Sequence, residues 1–149
     1  PTIIKLGKFY RKDIKKFASF FVNVLIYKNF KKKVKLITSI SMFYDLDDTI
    51  KFSEDVYDVM DKDGLWHLEQ SYMPMMLKNN SYDTICHEHL EYYSLKSIKY
   101  IFDKVGFKIV DLEFNEINGG SFAITLAKKK SKKYEEASYL VNWLLKKED

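Results

Sequence analysis

Residues that form turns and crosslinks are scarce in this chain of 149 residues, which has five glycines, two prolines and one cysteine. With one cysteine no disulfide can form within the chain, which favours a reducing compartment, and we therefore expect a cytoplasmic protein. No stretch rich in proline, glycine or serine marks a linker, and no internal repeat is present. The chain is thus predicted to form one ordinary domain.

Long hydrophobic runs are also absent. The longest, residues 17–27, is interrupted by serine and asparagine and is shorter than the ~20 apolar residues that span a bilayer. Neither a signal peptide nor a membrane helix is predicted. Hydrophobic residues nevertheless make up 46% of the chain, which is enough for a packed core and excludes disorder over most of its length.

The net charge of +4 comes mostly from lysine clusters at 31–33, 128–130 and 132–133. Such clusters could form a nucleic-acid patch, but no aromatic residues alternate with the lysines as they do in surfaces that stack bases. We interpret them as solvated lysines in loops and at strand ends, and expect no nucleic-acid partner.

Strand and helix patterns alternate along the chain after an irregular stretch at 1–10. Strands are predicted at 13–21, 34–42, 65–70, 107–114 and 121–127, with helices at 24–30, after Asp47 or Asp48, after Ser94 and at 134–145. We expect Asp63 and Gly64 to end the second helix and residues 71–93 to form a long loop. The alternation predicts an α/β fold with a mostly parallel sheet and antiparallel pairing of the last two strands.

Ligands of such sheets bind at the carboxyl ends of the strands, here residues 39–43 and 70–72. The segment 83–94, which contains His87, Glu88 and His89 beside the only cysteine, Cys86, follows one of these ends. Three chemistries fit: acid–base catalysis by a histidine, metal binding by both histidines with a carboxylate, and nucleophilic catalysis by Cys86. A purely structural role for hydrogen-bonded histidines stays open.

Five segments together resemble a known family. They are ITSISMFYDLDD at 37–48, DKDG at 61–64, EQSY at 69–72, YDTICHEHLEYYS at 82–94 and NGGS at 118–121. Their order and spacing are similar to those of the S-adenosylmethionine-dependent C-methyltransferases that act on nucleotide-linked keto-sugars. The resemblance extends over most of the chain.

The resemblance implies a Rossmann-like methyltransferase core with an antiparallel last strand. It implies that a proton is removed from the carbon next to a sugar ketone and that the resulting enolate attacks the methyl sulfonium. By this resemblance His89 is the general base, and Glu88 and His87 orient it or hold the sugar. Asn118 and Tyr92 would contact the substrate. The methionine part of the cofactor would be lined by Ser39, Met42 and Phe43.

The chain also departs from this family in several features. The family's glycine-rich cofactor loop and ribose-binding acidic residue belong upstream of Pro1, Cys86 replaces a common tyrosine, and Ser19 replaces an acidic residue that contacts adenine. We expect residues 1–130 to be the later part of a methyltransferase domain and 131–149 to begin a C-terminal domain. The isolated chain should then bind cofactor poorly. The alternative is a non-catalytic remnant or interaction module, and self-association through an exposed sheet edge stays open.

Overall fold

The computed structural model describes residues 3–6 and 33–149, in which every described strand belongs to one mixed sheet. The strands are β1 (Ile3–Leu6), β2 (Val34–Ile40), β3 (Met60–Ser71), β4 (Phe107–Asn115) and β5 (Ser121–Lys128). Their order across the sheet is β1-β2-β3-β5-β4. The first three run parallel, whereas β5 is antiparallel to both β3 and β4. The predicted α/β class and the antiparallel pairing of the last two strands are confirmed.

Four helices accompany the described strands: α1 (Thr49–Val59), α2 (Met73–Lys78), α3 (Leu95–Val105) and α4 (Ser138–Glu148). The Asp48 side chain accepts a hydrogen bond from the Lys51 amide at 2.8 Å and so caps α1. Ser94 caps α3 in the same way, and Gly106 ends it with φ at 100°. These ends follow the predicted rules, because short polar side chains satisfy free helix amides and glycine tolerates positive φ.

The core lies between the sheet and the helices α1, α3 and α4. Its centre is Trp66 on β3, whose ring is fully buried and lies 5.8 Å from Phe43, 5.4 Å from Phe102 and 5.5 Å from Phe107, measured between ring centroids. Its indole nitrogen donates to Ser39 Oγ at 3.0 Å. The buried indole is therefore both packed and hydrogen-bonded, as a stable core requires.

Asp63 and Gly64 do not end a helix, contrary to the prediction. Helix α1 already ends at Val59, and Met60 continues in extended conformation into β3. A register shift against β2 places a bulge before Leu65, and a Cβ on Gly64 would lie 2.7 Å from Met60 Cγ and 2.9 Å from the Val34 oxygen. Glycine is needed here because two backbones approach closely, not because the chain turns.

Other boundaries also differ from the prediction. Residues 71–93 are not a loop throughout, because Ser71 belongs to β3 and α2 follows; with six residues and a proline in its first turn, this helix is too short to show a period. Helix α4 begins at Ser138 rather than at 134. The stretch predicted to be irregular contains β1. The strand at 13–21 and the helix at 24–30 lie outside the described residues, as does Ser19.

Candidate active site

The carboxyl ends of β2 and β3 lie side by side because the two strands are parallel neighbours. Ser39 and Phe43 are fully buried at this edge, and Met42 is 6% exposed. Ser41 between them has φ at 50°, a backbone conformation that costs energy for a residue other than glycine and is frequent at functional sites. The three residues predicted to line the cofactor are thus brought together, although the Ser39 hydroxyl is bonded to Trp66.

The segment 79–93 returns to this same edge after α2. The Leu90 amide donates to the Tyr44 carbonyl at 2.9 Å, just after β2. The Met73 amide donates to the Tyr93 carbonyl at 2.9 Å, just after β3. Backbone bonds to both strand ends therefore hold the histidine-containing segment across the edge where ligands of parallel sheets bind.

His89 is half-buried, and both the orientation and the tautomer of its ring are determined by its contacts. Its Nδ1 lies 2.7 Å from the Thr84 carbonyl oxygen, and its ring lies 4.2 Å from that of Tyr44 between centroids. A carbonyl oxygen can only accept, so Nδ1 must carry the proton. The lone pair of neutral His89 is therefore on Nε2, where it can accept a proton from another molecule.

Tyr92 shares the acceptor of His89, since its hydroxyl donates to the Thr84 carbonyl at 3.4 Å. The two side chains are therefore next to each other, with ring centroids 6.4 Å apart. His87 and Glu88 are exposed on the same segment. The structure thus places all four predicted residues of this segment in one loop and brings His89 and Tyr92 into one hydrogen-bonded group.

Asn118 lies in the turn between β4 and β5, exposed and with φ at 55°. This turn is joined to the segment after α2, because the Asn79 side chain donates to the Gly119 carbonyl at 2.8 Å. The contact is close: a Cβ on Gly119 would lie 1.9 Å from Ser81 Oγ. Asn118 is therefore held beside the start of the histidine segment.

Two buried phenols support the site without being exposed in it. Burial, followed by the Glu91 carboxylate that accepts its hydrogen bond, raises the pKa of Tyr93 far above its usual value. Burial and the Glu148 carboxylate do the same to the pKa of Tyr72, whose hydroxyl donates to Glu148 Oε1 at 2.7 Å. Both phenols stay protonated and act as fixed hydrogen-bond donors.

Sequence reasoning assigned no role to Thr84 or Tyr44, which together position His89. No side-chain motif could have identified Thr84, because its contribution is a backbone carbonyl. Gln70 was also missed. It is 1% exposed at the end of β3, and neither its amide nitrogen nor its amide oxygen has a partner in the described part of the chain; the same holds for Ser71 Oγ. Buried polar atoms of this kind normally bond a ligand or water.

Among residues 33–149, no three histidine, cysteine or acidic side chains cluster as a metal site would require. No helix within the described ranges is both long and apolar enough to cross a membrane. The single cysteine, Cys86, is a half-buried free thiol. The geometry thus favours the acid–base interpretation of the segment, since His89 has a fixed ring and a fixed tautomer.

Solved structures with the same fold include two methyltransferases and a protein in complex with SAM. The chain matches the structure of LepI in complex with SAM with a TM-score of 0.54 at 12% identity, over 65% of this chain and 27% of that one. It matches the methyltransferase CalO6 with a TM-score of 0.53 at 15% identity, over 68% and 38%. It also matches a complex of the Haloferax volcanii Trm112 methyltransferase activator with a methyltransferase, with a TM-score of 0.54 at 10% identity, over 68% of this chain and 58% of that one. The predicted class I methyltransferase fold is confirmed.

A curated relative is similar in sequence as well. The C-methyltransferase NovU of Streptomyces niveus is 42% identical over 65 residues, which are 44% of this chain and 16% of that protein. The chain therefore matches about a sixth of the length of this relative. A family model described as a methyltransferase domain matches residues 5–112, which is most of the chain. The chain belongs to the methyltransferase domain family.

Proposed function

We propose that this chain carries the catalytic segment and the cofactor floor of an S-adenosylmethionine-dependent C-methyltransferase. Its substrate is a nucleotide-linked keto-sugar, methylated on the carbon next to the ketone. The observation that carries the proposal is the His89 ring, which the Thr84 carbonyl holds with a basic Nε2 at the carboxyl edge of the sheet. The similarity to a protein named as a C-methyltransferase supports the reaction class.

The residues at this edge fit the cofactor. The floor after β2 consists of the main chain at Ser41, where φ is positive, and of Met42; the fully buried side chains of Ser39 and Phe43 support it from the core. The buried Gln70 amide, which no described residue satisfies, offers both a donor and an acceptor to a polar ligand. When bound, S-adenosylmethionine supplies an electrophilic methyl group.

The residues of the chain perform the proton chemistry. His89 Nε2 takes the proton from the carbon next to the ketone, and the positive charge that develops on the imidazole is stabilised by the Nδ1–H bond to the Thr84 carbonyl. Its ring cannot rotate freely because Tyr44 packs against it at 4.2 Å. A base whose ring is held in one orientation suits a carbon acid of this kind, since proton transfer depends on alignment first.

The sugar is held by exposed polar groups around this base. His87 and Glu88 are on the same loop, Tyr92 is next to His89, and Asn118 is presented from the turn after β4. This proposal for the sugar rests on the resemblance of the 82–94 and 118–121 segments to sugar C-methyltransferases. Hydrogen bonds from such side chains would orient the ketone toward Nε2.

The test uses a protein that extends upstream of this chain far enough to include a glycine-rich cofactor loop. His89→Asn should lower methyl transfer to a keto-sugar nucleotide by ~100-fold or more, whereas affinity for S-adenosylhomocysteine should change little. Asparagine can still donate to the Thr84 carbonyl, so the loop is retained. His67→Asn is the matched control, because His67 lies in β3 and bonds Thr125 Oγ1 at 3.0 Å within the sheet.

Full turnover in the His89→Asn protein would contradict the assignment of the base. If the extended protein bound no S-adenosylhomocysteine, the enzyme proposal would be wrong and the alternative of a non-catalytic module would replace it. If the protein bound S-adenosylhomocysteine and methylated other small metabolites but no keto-sugar, the methyltransferase reaction would stand and the keto-sugar substrate would be wrong.

A further inference from the structure

A cavity lies at the end of the sheet opposite the candidate active site. Residues from the beginning of β3 and the end of β5 line it, and these two ends share an edge because the strands are antiparallel. Its volume is about 600 Å³, which lies within the range of small-molecule sites. No part of the proposed methyl-transfer chemistry involves this cavity.

The lining of the cavity is strongly cationic. Its charged side chains are five lysines and one aspartate, Lys62, Lys128, Lys130, Lys132, Lys133 and Asp63, with a net charge of +4. The aspartate is engaged, since Asp63 Oδ1 accepts the Ser131 hydroxyl at 2.8 Å. Within residues 33–149 no carboxylate is within ion-pair distance of Lys130 or Lys132. Lys62 is paired with Asp63 at 3.7 Å, so the uncompensated positive charge of the cavity is concentrated on Lys130 and Lys132.

The loop that presents these lysines is fixed to the sheet. Ser131 is 6% exposed, and its carbonyl accepts the Lys108 ammonium of β4 at 2.8 Å. Its hydroxyl is bonded to Asp63 of β3, and the Lys129 amide donates to the Gly106 carbonyl at 2.8 Å. Bonds to β3, to β4 and to the end of α3 therefore hold residues 129–131 in place, so that little main-chain entropy is lost when a ligand binds.

Lys128 forms part of the cavity wall. Its ammonium donates to the Met60 carbonyl at 2.8 Å and lies 4.3 Å above the centre of the Tyr57 ring. Burial, and after it the positive charge of Lys33, lowers the pKa of Lys128. An anion in the cavity would offset this repulsion.

We propose that this cavity binds a polyphosphate chain, either free or as the phosphate chain of a nucleotide. A charge of +4 matches the several negative charges of such a chain better than a single phosphate, and lysine ammoniums bind phosphate oxygens as point charges. The base of a nucleotide adds little, because one face of the Tyr57 ring carries Lys128 and the ring also packs on Phe107. A nucleic acid is disfavoured for the same reason: among the described residues that line the cavity, no aromatic ring is free to stack its bases.

The experiment titrates the 149-residue chain with inorganic tripolyphosphate, ATP and AMP by calorimetry, in the absence of any methyl donor. Tripolyphosphate and ATP should bind with similar affinity, AMP much more weakly, and added salt should weaken binding. The double variant Lys130→Gln/Lys132→Gln should lose about tenfold in affinity, a factor of about three for each exposed contact. The control Lys146→Gln/Lys147→Gln removes the same charge from the exposed end of α4 and should lose little.

Circular dichroism should show that both double variants are folded. Absence of saturable binding of tripolyphosphate, or an equal loss in the control variant, would show that the lysines are only a solvated surface. Tighter binding of AMP than of tripolyphosphate would mean that the base is recognised and would overturn the proposal, as would preferential binding of a single-stranded oligonucleotide. Because no methyl donor is present in the titration, these outcomes do not depend on whether the proposed methyltransferase activity is correct.

Discussion

Thr84 contributes to the candidate site through its backbone. Its carbonyl holds both His89 and Tyr92, whereas its hydroxyl is directed to Met76 Sδ at 3.8 Å. A substitution of the Thr84 side chain therefore leaves the acceptor in place. The orientation of the base thus depends on the path of the main chain between residues 84 and 89, which the hydrogen bond donated by the His89 amide to the Cys86 carbonyl at 3.2 Å helps to fix.

The same dependence on backbone path makes Gly119 sensitive to substitution. Gly119→Ala should destabilise the fold by more than the ~1–2 kcal/mol that a left-handed conformation costs a non-glycine residue. Its φ is 76°, and a new Cβ would also lie 2.4 Å from Ser81 Cβ, so the backbone of residues 79–81 must move. Urea unfolding measures the loss, and amide exchange should increase at residues 79–85.

Gly106→Ala is the matched control for this prediction. Gly106 has φ at 100°, but its new Cβ would have only the Tyr57 ring nearby, at 3.6 Å. The Gly106→Ala protein should therefore lose only the free energy that the left-handed conformation costs. Equal losses in the two variants would show that the contact between the two loops contributes nothing.

The Glu148 carboxylate of helix α4 binds the first turn of helix α3. Glu148 Oε1 accepts the Leu95 amide at 2.6 Å, Oε2 accepts the Lys96 amide at 2.9 Å, and the Tyr72 hydroxyl donates to Oε1. Glu148→Gln should destabilise the protein by ~1–3 kcal/mol, because a neutral amide turns a donor toward free amides at a helix N-terminus. Thermal unfolding measures this loss of stability. The control is Glu135→Gln, because Glu135 is exposed and lies outside the helix, and this substitution should change the stability little. An equal effect of both would mean that only net charge matters.

Asp103 of α3 pairs with Lys99 of the same helix at 2.5 Å and with Lys129, just after β5, at 2.9 Å. Burial raises the pKa of Asp103, but hydrogen bonds and charge from the two lysines outweigh it, and the net pKa is lowered from 3.8. A carboxyl whose pKa is lower in the folded state stabilises above its unfolded value, and this contribution disappears as the pH falls through the folded value.

Asp103→Asn should accordingly lower stability at neutral pH by less than ~1 kcal/mol, since the group is more than a third exposed. The difference from the wild type should vanish well below pH 3.8. Urea unfolding across this range tests it. The exposed Asp111→Asn on β4 serves as a control, and a difference that persisted in acid would rule out the ion pairs as its cause.

At the scale of the whole molecule, we expect cofactor affinity to depend on chain outside these 149 residues. The resemblance assigns the glycine-rich loop to the region upstream of Pro1, and the similar segment is only 16% of the curated relative. Calorimetry with S-adenosylhomocysteine should therefore show weak or no binding to this chain and clear binding to one extended upstream. Equal affinity of the two would mean that the floor after β2 suffices.

Much of the fold could be predicted from the sequence because its signals are local. Asp48, Ser94 and Gly106 fix helix ends through their own side chains or backbone freedom. The prediction failed where a long-range contact decides: Gly64 is needed for the approach of Val34 to β3, and α2 is stabilised by its contacts, not by a repeating pattern. The roles of His87, Glu88, Asn118 and the cofactor residues stay predictions.

The sequence by itself determined the α/β class, the antiparallel pairing of the last strands and the identity of the segment with His89, because hydrophobic period, caps and residue types are written locally. Only the tertiary structure decided which nitrogen of His89 is basic, that Gln70 is buried without a partner, and that lysines distant in sequence surround one cavity. Each of these depends on distances between atoms in the folded chain, and such distances have no signature in a linear pattern.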